Sequence, residues 1–266
     1  MPTIVRALKL TLIACITVSA LADDSYYDPS GSASRKPLPP RTVAKDTTIE
    51  IVPMLGKHLV ADHFGFTSFT NEYFETDIDA PMNALVTSLV SDAIAKRGYT
   101  LVNAPNDYDG AQAAYQGATP AWPADTEAVV AAVRYLRARP GHDVADNYLL
   151  IVPGSQGGNC QVFPCPGVRT TLMGLFNRMG RFNSTYVSAT LQLVDAKTGK
   201  FVRKATMFGS DQLRFVAWHP SWGEYSVAEK QEITTSFHDE FEASLTPAID
   251  ALGFVATPPP GTGDKK

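Results

Sequence analysis

A chain of 266 residues, 44% hydrophobic and 19% charged, is long and apolar enough to bury a sizeable core, which excludes an intrinsically disordered protein. Its formal charge of −4 comes with no basic stripe, which argues against a nucleic-acid partner.

The chain opens on Arg6 and Lys9, continues through an apolar stretch from Leu10 to Ala20, and reaches Ala20-Leu21-Ala22 before Asp23. A positive start, a short apolar run and a small-x-small site define a secretory signal peptide over residues 1–22. The run is too short for a spanning helix, which needs about 20 apolar residues. Leu12-Ile13-Ala14-Cys15 also matches a lipobox, whose cysteine becomes the acylated end of a bacterial lipoprotein. Simple cleavage after Ala22 is the favoured reading, with lipidation at Cys15 as the alternative. The product is then periplasmic or secreted, or an outer-membrane lipoprotein.

Residues 23–46 contain Lys36-Pro-Leu-Pro-Pro40 and read as a flexible Pro/Ser-rich tether. Residues 255–266 read as a disordered tail, which leaves 47–254 as a single α/β domain. Thr48–Met54 predicts the first strand. Met82, Leu85, Val86, Leu89, Val90, Ala93 and Ile94 then share one helical face, with Asp79 as cap and Gly98 as terminator. Tyr99–Val102 is a second strand. Val129, Val130, Val133 and Leu136 mark a second helix, stopped by Arg139-Pro140-Gly141.

Tyr148-Leu-Leu-Ile-Val152 is a continuous apolar run, as a strand covered on both faces requires. Val187, Ala189, Leu191 and Leu193 alternate with polar residues and predict a half-buried strand. Asp195-Ala-Lys-Thr-Gly199 turns the chain into its hairpin partner, Phe201–Phe208. The last helix opens with Ser226 and Glu229 at capping-box spacing and buries Ile233, Phe237, Phe241, Leu245, Ile249 and Leu252. The expected fold class is therefore α/β, a mixed sheet flanked by three main helices, ending in a β-hairpin and a C-terminal helix. His58–Phe74 and Gly167–Gly180 are candidates for additional strands.

Leu191-Gln-Leu-Val-Asp-Ala-Lys-Thr-Gly-Lys-Phe-Val202 resembles the strand–Asp-x-x-Thr-Gly–strand hairpin of a bacterial envelope group. That group includes the curli secretion lipoprotein domain, the penicillin-binding-protein activator lipoproteins and the TolB N-terminal domain. The order of amphipathic helix, Gly98 and strand is similar too. The resemblance implies a periplasmic, often lipid-anchored α/β domain that docks or assembles rather than catalyses. The insert Gly154–Gly180 and the segment Phe215–Tyr225 depart from it, and no functional residue of the group carries over.

Few residues carry chemistry. Cys160 and Cys165 are expected to close a small disulfide loop in an oxidising compartment. Ser155 lies in Gly154-Ser-Gln-Gly-Gly158, but a nucleophile elbow needs glycine where Pro153 stands. A secreted hydrolase using Ser155 with His142 or His219 is the rival function. The histidines His58, His63, His142, His219 and His238 form only pairs with nearby acids, too few for a metal. Asp77 with Asp79, and Glu240 with Glu242, read as solvated acids because such spacings do not face each other on a helix. No cofactor or metal is expected.

The cluster from Phe215 through Trp218 and Trp222 to Tyr225 supports two readings. Trp218, Trp222 and Tyr225 contact a partner, or the loop folds back and plugs the edge of its own core. The expected partner is another envelope protein or peptidoglycan, with the membrane reached only through a lipid at Cys15. The expected function is a non-enzymatic binding or assembly module of the cell envelope.

Overall fold

The computed structural model describes residues 42–65, 71–78, 82–105, 108–118, 125–154, 173–178, 182–213 and 215–255. Among these, three strands come first: β1 (Thr48–Pro53), β2 (His58–Phe64) and β3 (Glu72–Asp77). Then follow α1 (Met82–Ala95), β4 (Thr100–Leu101), α2 (Asp109–Gly117) and α3 (Asp125–Arg137). The chain ends with β5 (Asn147–Pro153), β6 (Met173–Arg178), β7 (Phe182–Asp195), β8 (Phe201–Leu213) and α4 (Val227–Ala251). The fold class is α/β, as the sequence predicts, with a fourth helix. That extra helix, α2, buries only Ala111, so it leaves no apolar stripe to read. The two weakly patterned segments supply β2, β3 and β6.

The strands form one eight-stranded mixed sheet in the order β3-β2-β6-β7-β5-β1-β4, with β8 also paired to β7. β7 is the spine. Its first half pairs with β6 and its second half with β5, so these two share one edge of β7. β8 runs antiparallel along the opposite edge, from Asn183↔Leu213 to Val194↔Phe201. The turn between them is set by Asp195, whose Oδ1 accepts from the amides of Lys197 (3.0 Å) and Thr198 (2.7 Å). Gly199 adopts the positive φ of 69° that the turn demands.

Two apolar cores lie on the two faces. Ile49, Ile51, Leu149, Ile151, Leu191 and Leu193 point to the face covered by α1 and α4. Val52, Tyr148, Leu150, Val152 and Val194 point to the face covered by α2 and α3. The unbroken run Tyr148–Val152 is thus buried on both sides, and its pattern has that cause.

α4 is 25 residues long and carries the capping box expected of Ser226 and Glu229. Pro247 lies within it. Gly209 of β8 lets α4 approach closely: a Cβ there would meet the carbonyl oxygen of Glu240 at 3.0 Å. The residues before β1 pack on the fold. The amide of Val43 donates to Gly253 O (3.0 Å), and the Tyr99 hydroxyl donates to Val43 O (3.1 Å).

Candidate functional site

The segment between β8 and α4 forms a corner of the molecule, and its residues divide sharply by exposure. Val216 is buried, and its carbonyl accepts from Asn183 Nδ2 (2.7 Å). Asn183 Oδ1 in turn accepts from Asn177 Nδ2 (2.6 Å), and Asn177 Oδ1 accepts from His63 Nδ1 (2.7 Å). A chain of polar side chains thereby ties the corner to β7, β6 and β2.

Trp218 is half-buried. Its ring stacks on His63 with centroids 5.2 Å apart and lies 5.7 Å from Phe74, while its Nε1 donates to Glu72 Oε2 (2.6 Å). Tyr225 is buried, and Trp222 leans on it at 5.5 Å. Burial pushes the Tyr225 hydroxyl up to about 12.

Glu229 closes the corner from the helix side. Its Oε2 accepts from the Ser226 amide (2.9 Å), and its Oε1 accepts from His219 Nε2 (3.3 Å) and the Ala217 amide (3.4 Å). Hydrogen bonds to the charged form, first from the Ser226 backbone, hold its carboxyl down to about 2.

On this fixed frame two apolar side chains stand out in solvent: Phe215, 86% exposed, and Val227, 83% exposed. They flank Ala217 and Glu229, which touch, so both belong to the same corner. Trp218 and Trp222 pack against the core that α1 and α4 cover, and Phe215 is the aromatic left outside. Sequence reading found the aromatic cluster. It did not find His63, Glu72 and Phe74, because the β2–β3 hairpin that holds them is about 150 residues away in sequence. The isolated β-branched Val227 at the start of a helix gave no signal.

A second polar group is buried on the opposite face of the sheet. Glu50 of β1 is fully buried, and His142 is 2% exposed and donates from Nδ1 to Glu50 Oε1 at 2.5 Å. Burial pushes the Glu50 carboxyl up despite that bond, and it pushes the neighbouring Tyr108 hydroxyl up too. The Tyr148 hydroxyl donates to His142 O (2.6 Å). The pair joins β1 to the segment that leads into β5.

Glu240 is also buried, 6% exposed, and so is not the solvated acid that its spacing from Glu242 predicts. Thr185 Oγ1 and Ser236 Oγ both donate to its Oε1, the latter at 3.0 Å.

Ser155, Cys160, Cys165 and Cys15 lie outside the described residues. Gly154, which precedes Ser155, stands at the far end of β5 from Tyr148, roughly 20 Å away along the strand. His142 is held at the Tyr148 end. His219 is engaged by Glu229. Among the described residues, no three His, Cys, Asp or Glu side chains converge to hold a metal, and no helix is long and apolar enough to cross a membrane.

No protein-family model matches the chain, and no curated protein matches it. Solved structures do resemble it at low identity. The PelC dodecamer of Paraburkholderia phytofirmans is 10% identical, over 82% of this chain and 94% of that one, with a TM-score of 0.32. The hypothetical protein CT253 of Chlamydia trachomatis is 10% identical over 78% and 96%, with a TM-score of 0.39. Lipoprotein GNA1162 of Neisseria meningitidis is 13% identical over 74% and 99%, with a TM-score of 0.28.

Proposed function

We propose that this chain is an exported envelope protein whose α/β domain binds or assembles with another envelope protein through the corner at Phe215 and Val227. One observation carries the reading: two large apolar side chains are 86% and 83% exposed on a corner whose other residues are fixed. Exposed apolar residues on a pre-organised surface are what an interface anchor requires, because little ordering cost remains to be met on binding. Trp218 and Trp222, half-buried beside them, would form the floor of the contact. Export rests on the signal-peptide pattern of residues 1–22, with a disulfide between Cys160 and Cys165 in that compartment.

Site-specific photo-crosslinking in intact cells tests the corner. A crosslinker at position 215 is expected to trap an envelope protein, and Val227→Asp is expected to abolish the adduct. The same crosslinker at position 144, whose valine is 61% exposed elsewhere, should give none. Adducts at both positions, or at neither, overturn the reading. Co-sedimentation with purified peptidoglycan that is lost in Phe215→Ala would make the partner a glycan instead.

A further inference from the structure

We infer that the outer edge of β8 is a dimerisation surface, on which a second copy of this chain adds its own β8 antiparallel about a two-fold axis at Met207. The inference is independent of the corner at Phe215.

Among the described residues the sheet has three outer strands, and they are not alike. β4 is two residues long. β3 is six residues long and crowded with acid: Glu72, Glu75 and Asp77, the last two beside His58. Shortness and charge are the usual means of keeping a sheet edge from pairing. β8 is not short, and its charges, Arg203, Lys204 and Asp211, are of both signs rather than one. It spans 13 residues without proline, its inner edge is paired to β7 along its length, and no described strand pairs with its outer edge. A long regular edge offers its remaining backbone donors and acceptors to another strand.

The choice of a second copy rests on charge complementarity within β8 itself. Residues opposite each other in an antiparallel pair lie on the same face of the sheet, so a two-fold axis must pass through a residue. With the axis at Met207, Arg203 stands opposite Asp211 of the second copy, and Asp211 opposite its Arg203. Both are on the face that α4 covers, and Ala205 meets Gly209 between them, small against small. Moving the axis one residue either way sets Arg203 against Gly209 or Leu213 and leaves both charges without an opposite. Opposite charges placed directly across a strand pair stabilise that register. On the other face, Lys204 meets Ser210 and Thr206 meets Phe208, so no like charges are juxtaposed.

Gly209 draws α4 down onto β8 at Glu240, so the helix covers this strand on one face of the sheet.

The mass of the full-length chain in solution decides the matter, by sedimentation equilibrium from micromolar to hundreds of micromolar. The wild type is expected to be a dimer, and Asp211→Arg and Arg203→Glu are each expected to weaken association at least tenfold. An equimolar mixture of the two variants restores both opposite-charge pairs and should return to dimer. Arg203 also donates to Ala251 O (3.1 Å), so its variant could fail to fold. A second measurement therefore uses Thr206→Cys, on the exposed face away from α4. The two new cysteines would sit about 7–8 Å apart and should join through a short thiol crosslinker. A monomeric wild type at every concentration, a dimer indifferent to Asp211→Arg, or no crosslink at position 206 overturns the proposal.

Discussion

Glu240 is ionisable, buried against Gly209, and accepts on its Oε1 from the hydroxyls of Thr185 and Ser236. Desolvation pushes its carboxyl from the ordinary range up to about 7. Because the folded value is raised, the neutral form is the one the fold prefers. The associated stability is fully present below the unfolded value near 4.5 and is lost as pH rises through about 7. Glu240→Gln keeps an acceptor for Thr185 and Ser236 and removes the charge. Its stability relative to wild type is therefore expected to increase between pH 5 and pH 8, by up to about 3 kcal/mol at the upper end. Urea unfolding of both proteins across that range checks it, and parallel curves would sink the idea. No pattern along the chain marks this residue. On a bare helix, positions 240 and 242 do not face each other, and only a glycine 31 residues earlier brings the helix close enough to enclose one of them.

Among the elements, α4 is where sequence and structure agree most closely, and the reason is local. Ser226 and Glu229 satisfy each other's backbone amides within one turn, so four residues suffice to state the cap. Glu229 does more than cap, since it also holds Ala217 and His219. Ser226→Ala should therefore cost about 1 kcal/mol, the usual worth of a cap. Glu229→Ala should cost more and should also loosen the corner, read as faster amide exchange at Ala217. With its carboxyl held down to about 2, the contribution of Glu229 is present above the ordinary value of 4.5 and fades as pH falls through about 2. Equal costs for the two variants, with Ala217 unchanged, would show that Glu229 is a cap alone. The strand Tyr148–Val152 and the face of α1 were legible for the same reason, a pattern that repeats within one element. What was not legible joins distant elements. The bond from His142 to Glu50 spans 92 residues, and that from Trp218 to Glu72 spans 146. No periodicity records such pairs.

At the scale of the molecule, the two ends of the folded body leave from one pole. The Tyr99 hydroxyl donates to Val43 O at 3.1 Å and accepts from the Val255 amide at 3.3 Å. Lys45 lies over the Tyr99 ring, 3.9 Å from its centre, and donates to Val255 O at 2.7 Å. Phe254 meets the same ring edge-on at 5.0 Å. One tyrosine therefore clasps the residues that enter β1 to those that leave α4. α4 runs from the corner at Val227 to this clasp, and 25 helical residues span roughly 37 Å. A chain held from its N-terminal side would thus present Phe215 and Val227 at the end remote from its attachment. Tyr99→Phe keeps the packing and removes both hydroxyl bonds, so it should cost about 1–2 kcal/mol. The loss should be polarised: the amides of Val43 and Val255 exchange faster, while those of β5, buried between both cores, keep their protection. Val43 donates to Gly253 O at 3.0 Å, and that bond should be the next to open. Uniform loss of protection across the sheet would mean that Tyr99 supports the core as a whole. Loss confined to the two ends would identify it as the clasp that fixes where the chain leaves the fold, and so which way the corner faces.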